Sequence, residues 1–228
     1  MKGTIKYLVA ACLPFSMPLV AAAQEDLSYS YLEGDYISLD IDGIDEQDDV
    51  IDDIDDGNGF GVRSSLALSS NFFVFADYSE TNSDVTFNSG TGILPQDTDI
   101  NRLNAGAGFR MPLMDRTDLV FRGAYTDIDF GDFDLGGSSD PDVQDLNDDS
   151  SDGWFADAGL RSQLFESFEG LAAVRYTDIE ETDQFSLVGE GLFELNQNLG
   201  LSIGFEAGDE LTTYYAGVRL SFGGPFDD

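Results

Sequence analysis

Ten segments in this chain alternate apolar and polar side chains, at about 27–40, 59–69, 71–82, 99–111, 117–128, 153–165, 168–179, 184–195, 198–206 and 211–222. Period-two alternation places successive side chains on opposite faces of a strand. Each run is also long enough to cross a bilayer as a tilted strand, which takes about 9–11 residues. No helical period of comparable length stands out. The connections alternate in length as well. Short polar turns fall at Ser69-Ser70, Pro112–Arg116, Glu166-Ser167 and Asn196-Gln197, and long acidic loops at about 41–58, 83–98 and 129–152, with shorter ones near 180–183 and 207–210. Backbone groups in hydrocarbon must pair internally, so a strand-based chain can span a membrane only as a closed barrel. The pattern predicts an all-β, transmembrane, antiparallel up-and-down barrel of about ten strands, or eight if one late hairpin folds outside the membrane.

The two faces of these strands differ in kind. One carries Val62, Leu66 and Leu68; Phe72, Val74, Ala76 and Tyr78; Leu103, Ala105, Ala107 and Phe109; Leu119, Phe121 and Tyr125; Trp154, Ala156, Ala158 and Leu160. It continues through Val174, Tyr176, Leu187, Phe193, Leu195, Leu199, Leu201, Ile203 and Phe205. None is charged, as a lipid face requires, because a basic side chain at mid-membrane costs roughly 2–4 kcal/mol. Trp154, Tyr78, Tyr125, Tyr176 and Tyr214 suit an interfacial aromatic girdle. The opposite face collects Arg63, Asp77, Arg102, Arg110, Arg122, Asp157, Arg161, Arg175, Glu190, Glu194, Glu206 and Arg219, joined by Glu33 and Asp35 if Leu32 and Tyr36 face lipid. Arginine satisfies carboxylates with a planar fork. These residues therefore predict an ion-pair network that fills the lumen, with a selectivity ladder along an ion path as the other reading.

The chain opens with Lys2 and Lys6, an apolar run from Tyr7 to Val20 and Ala21-Ala22-Ala23. That is the pattern of an export signal over 1–23, with a single barrel domain over 24–228. The chain has 10 basic and 45 acidic residues. Both lysines fall in the signal, so eight arginines remain against all 45 acids, a formal charge of −37. Such a field repels nucleic acid. The one cysteine, Cys12, also lies in the signal, so the exported chain has none to pair.

The last strand runs Tyr214-Tyr215-Ala216-Gly217-Val218-Arg219-Leu220-Ser221-Phe222. Its Gly217, Leu220 and terminal aromatic Phe222 resemble the C-terminal signal read by the barrel-assembly machinery. The first segment, Leu27-Ser28-Tyr29-Ser30-Tyr31-Leu32-Glu33-Gly34-Asp35-Tyr36, is similar to the first strand of a family of small proteobacterial outer-membrane β-barrels, once described as quorum-sensing or plant-immunity activators. Asn71–Ser79, Arg116–Val120 and Tyr215–Phe222 carry the same likeness. The resemblance implies an outer-membrane location and a barrel fold, and brings no assigned activity with it. This chain departs from the family in its acidic first loop and in a Gly223–Asp228 tail.

Ten acids without a base lie between Asp40 and Asp56, and ten more between Asp127 and Asp152. Hard divalent cations take several carboxylate and carbonyl oxygens. Asp40, Asp42, Asp53, Asp55, Asp132, Asp134, Asp140 and Asp142 have the spacing for weak Ca2+ or Mg2+ binding, without the closing glutamate of a calcium loop. A solvated acidic surface is the simpler reading. The chain has no histidine, the usual general base at neutral pH, and no carboxylate pair stands apart from the rest. The expectation is a monomeric, non-catalytic barrel with a structural or surface-interaction role and no resident cofactor. It would meet outer-membrane lipid, lipopolysaccharide and, during biogenesis, the assembly machinery. A narrow passive porin-like channel for small solutes or ions is the alternative.

Overall fold

The computed structural model describes residues 27–41, 51–54, 56–88, 93–130, 150–179, 182–209 and 211–222; for 41, 51–54, 84–98, 130 and 182 it describes the backbone alone. Eleven strands follow in order: β1 Tyr31–Ile41, β2 Ile51–Ile54, β3 Gly57–Ala67, β4 Phe72–Asn88, β5 Ile93–Met114, β6 Thr117–Phe130, β7 Ser150–Phe165, β8 Phe168–Ile179, β9 Thr182–Asn196, β10 Leu199–Ala207 and β11 Leu211–Ser221. All but β2 pair antiparallel with both neighbours, and β11 returns to β1 in register from Tyr31↔Ser221 to Ile41↔Leu211. The result is a closed ten-stranded up-and-down barrel with no helix among the described residues.

Alternation places the side chains as the sequence predicts. Outward residues such as Phe72, Phe121, Trp154, Leu187 and Ile203 are exposed, while their in-strand neighbours are buried or half-buried. Outward aromatics meet across the strands, with Trp154 5.5 Å from Tyr176 and Tyr176 5.1 Å from Phe185, ring centre to ring centre. Such a wall suits lipid and would be unstable against water.

Four boundaries differ from the sequence reading. The span 83–98 is largely a hairpin, because β4 and β5 stay paired as far as Asn88↔Ile93. Its acids and Asn/Gly residues suggest a loop, yet the backbone of the two strands stays paired there. Within 41–58, the short β2 adds to the outer edge of β4. Residues 27–30 are not strand. The hydroxyl of Ser65 donates to the Tyr29 carbonyl at 2.8 Å and that of Ser30 accepts from the Ala67 amide at 3.1 Å. These side-chain bonds replace ladder bonds and let the chain turn into the barrel. At the same end β5 runs on to Met114, so the turn narrows to Asp115-Arg116, where Arg116 adopts a left-handed backbone at φ 64°.

Candidate functional site: the arginine-acid lumen

Strand register puts the inward charges in rows of alternating sign. Across β11, β1, β3 and β4, Arg219, Glu33, Arg63 and Asp77 stand side by side. Across β6, β7 and β8 the row is Arg122, Asp157 and Arg175. Opposite charges directly across a ladder stabilise a sheet, and like charges there destabilise it. The rows thus follow from register alone.

The side chains refine this layout. Glu33 is fully buried and accepts from both Arg63 and Arg219. Arg63 turns away from Asp77 and donates through Nε to Asp35 at 2.8 Å. Asp77 instead accepts from Asn104 Nδ2 at 2.5 Å, and Asn104 Oδ1 accepts from the Thr126 hydroxyl at 2.7 Å. In the second row, Asp157 accepts from Arg122 Nε at 2.9 Å and from Arg175 Nη2 at 2.9 Å. Arg175 also reaches Glu206 through Nη1 at 2.7 Å, and its guanidinium lies 3.9 Å over the Phe155 ring. Glu190 links the two rows, at 3.5 Å from Arg122, 3.7 Å from Arg63 and 3.7 Å from Arg219. Arg102 Nε and Arg122 Nη2 are buried without an acceptor among the described residues.

Nearer the short-turn end, residues 27–30 occupy the lumen. Leu27, Ser28, Tyr29 and Ser30 are all buried. Arg110 and Arg161 hold the Tyr29 ring from two sides, with guanidinium carbons 4.7 and 4.6 Å from its centre, and Phe73 meets it at 5.0 Å. The Tyr29 hydroxyl donates to Asp118 at 2.9 Å. Arg161 Nη1 donates to the Ser28 carbonyl at 2.8 Å, while its other nitrogens hold Glu169 at 2.6 and 3.1 Å. Glu194 is half-buried on the inner face of β9 near this layer, its amide donating to Ser167.

The sequence reading names all twelve inward charges of the long list but not Tyr29, Asp118, Glu169 or Asn104. Nor does it anticipate an apolar contribution to the lumen, where Phe73, Val120, Phe155, Val188 and Leu192 are buried. Strand parity was enough to find these residues. Of the loop acids, Asp40 is half-buried at the end of β1 and Asp53 is placed in β2 by its backbone. Asp42, Asp55, Asp132, Asp134, Asp140 and Asp142 lie outside the described residues. Among the described residues no group of three or more acids, histidines or cysteines is arranged to hold a metal.

Leu220 faces outward and the Phe222 amide donates to the Ser30 carbonyl at 3.0 Å. Gly217 faces inward, where an added Cβ would run into the Asp35 carboxylate and stand 2.5 Å from the Gly34 carbonyl oxygen. Gly217→Ala should therefore displace Asp35 from Arg63 and destabilise the folded barrel by about 1–3 kcal/mol, the usual range for overpacking. Urea unfolding in micelles checks this; an unchanged midpoint would mean that the two side chains do not compete for space.

A cavity of about 140 Å³ remains between these layers, bounded by Tyr29 toward the short turns and by Tyr78, Arg102 and Thr213 toward the loops. Small barrels characteristically fill their interiors with side chains in this way.

The family model for an outer membrane protein beta-barrel domain matches residues 8–222. OprG from Pseudomonas aeruginosa is similar in structure at 13% identity and TM-score 0.48, over 87% of this chain and 99% of its own. The translocator domain of the autotransporter NalP from Neisseria meningitidis has 10% identity and TM-score 0.49, over 85% and 88% of the two chains. Ail, the attachment invasion locus protein of Yersinia pestis, has 15% identity and TM-score 0.38, over 85% and 97%. No curated protein matches the sequence. With the closed ten-stranded barrel and a family match over nearly its whole length, this chain belongs to the outer-membrane β-barrel proteins and has its place in the Gram-negative outer membrane.

Proposed function

We propose that this protein is a non-catalytic barrel whose lumen is closed by its own side chains and which acts at the cell surface through its acidic loops. The burial of the mid-lumen charges carries the reading: the side chains of Glu33, Asp157 and Arg219 are 0%, 1% and 6% exposed. A water-filled pore would leave such groups wet, as the lumens of larger barrels are. The absence of histidine supports a role without general acid-base chemistry. The loops, dense in unopposed carboxylates, would gather Ca2+ or Mg2+ weakly and, through those ions, the phosphates of lipopolysaccharide. Export would proceed through a signal cleaved after Ala23. Gly217, Leu220 and Phe222 would present the last strand to the assembly machinery, and the barrel would work as a monomer.

The 140 Å³ cavity favours a second reading, a narrow passive channel for small solutes or ions. Planar-bilayer recording of the folded protein, with and without millimolar calcium, separates the two. Silence under both conditions is expected; discrete openings would overturn the closed-lumen reading in favour of the channel.

A further inference from the structure

We propose that residues 27–30 form a displaceable plug, and that the lumen they close is a conduit for small inorganic anions of the chloride class. This rests on the closed-lumen reading above and adds what does the closing.

The segment runs on into β1 at Tyr31 and is no part of the strand ladder, with one backbone bond to the wall, from the Phe222 amide to the Ser30 carbonyl. Its contacts are nevertheless widely spread. Ser65 on β3, Phe73 on β4, Arg110 on β5, Asp118 on β6 and Arg161 on β7 each hold it by a hydrogen bond or a ring contact. Half of the barrel's strands thus converge on four residues. Withdrawal would break that one backbone bond but none of the strand pairings, because β1 starts at Tyr31 and keeps its register with β3 and β11. A wall held by backbone ladders and a plug held to it by side chains and a single backbone bond are separable by construction.

Tyr29 and Arg161 form the short-turn end of the lumenal cavity. Taking the Tyr29 ring away extends that cavity toward the mouth. The middle of the path is basic, since six arginines and four acids face the cavity, while at the uncovered end Arg110 and Arg161 stand beside Asp118 and Glu169. Glu33 and Asp157, which neutralise several of those arginines, lie buried behind them. Two nitrogens of arginines that line the cavity, Arg102 Nε and Arg122 Nη2, are buried without an acceptor among the described residues and become available as the side chains shift. A small anion can accept from them and a cation cannot. The chain as a whole is strongly acidic, so anion preference is a demanding expectation.

The test uses the folded, heat-modifiable protein in planar bilayers under a tenfold KCl gradient, comparing the parent with Tyr29→Ala. Leu27→Asp, which puts a charge into a buried apolar position of the segment without touching the wall, is the second variant should the first fold poorly. Ser28→Cys, placed in the parent and in each variant, reports the seating of the segment through its rate of modification by a charged thiol reagent. A silent parent with slow labelling is expected. The variants should label at least about tenfold faster, as follows from losing roughly 1.4 kcal/mol of seating, and should open with a reversal potential on the chloride side.

A silent parent whose folded, fast-labelling variants are also silent, or pass cations in preference, would overturn the proposal while the closed-lumen reading stands. Fast labelling in the parent would overturn it as well, since the segment would then not be seated. A conducting parent would bring down the closed-lumen reading itself.

Discussion

Glu33→Ala should be among the most destabilising single substitutions in this barrel, lowering its unfolding free energy by about 3–5 kcal/mol, the range for removing one partner of a buried ion pair. Glu33 is fully buried and accepts from Arg63 on β3 and Arg219 on β11. Its position on β1 puts it at the seam where the first strand meets the last. Its loss would leave two guanidinium groups facing each other across that seam. Arg63 would keep Asp35, and both would keep a longer contact of 3.7 Å with Glu190. Those residual partners argue for the lower half of the range. Glu33→Gln, which retains shape and one acceptor oxygen but no charge, should fall between alanine and the parent. Reversible urea unfolding in micelles, followed by gel mobility of the unheated sample, measures both. If Glu33→Ala unfolds within about 1 kcal/mol of the parent, the seam is held by backbone pairing alone.

How much of this was legible beforehand depends on which physical rule set each feature. Parity is rigid in a strand, so one correctly assigned residue fixes the side of every other. That is why Arg63, Arg122, Asp157, Arg175 and Glu190 could be sent inward without knowing which strands pair. Partner choice is another matter. Register flanks Arg63 with Glu33 on one side and Asp77 on the other, but the arginine takes Glu33 and reaches on to Asp35, and Asp77 settles on Asn104 across its other edge. Those choices turn on side-chain reach and on competition within one layer, which alternation does not encode.

The N-terminal segment misled for a related reason. Leu27-Ser28-Tyr29-Ser30 alternates as a strand does, but two serine hydroxyls let it leave the ladder and a pair of arginines gives its tyrosine a place inside. The hairpin beyond residue 82 erred the other way. Its acidic, turn-like composition concealed a pairing that the backbone keeps up to Asn88↔Ile93.

Arg175→Ala carries the second large effect, about 2–4 kcal/mol, and tests whether the lumen behaves as one network. Arg175 joins Asp157 to Glu206 and covers the Phe155 ring. Without it Glu206 would retain the Ser186 hydroxyl at 2.9 Å and Asp157 would retain Arg122, which is why the expected loss is smaller than for an isolated buried pair. Arg175→Lys should recover little, because one ammonium cannot reproduce the fork that reaches two carboxylates on different strands. Two further results separate a network from a set of independent pairs. Combining Arg175→Ala with Asp157→Ala should cost less than the two single losses together, since each removes part of what the other needs. The melting temperatures of parent and variant should also shift little between low and high salt, because water and ions barely reach these groups. Full additivity, or a strong salt dependence, would mean that the lumen is wet and its pairs are independent, and the closed-barrel reading would fall with the network.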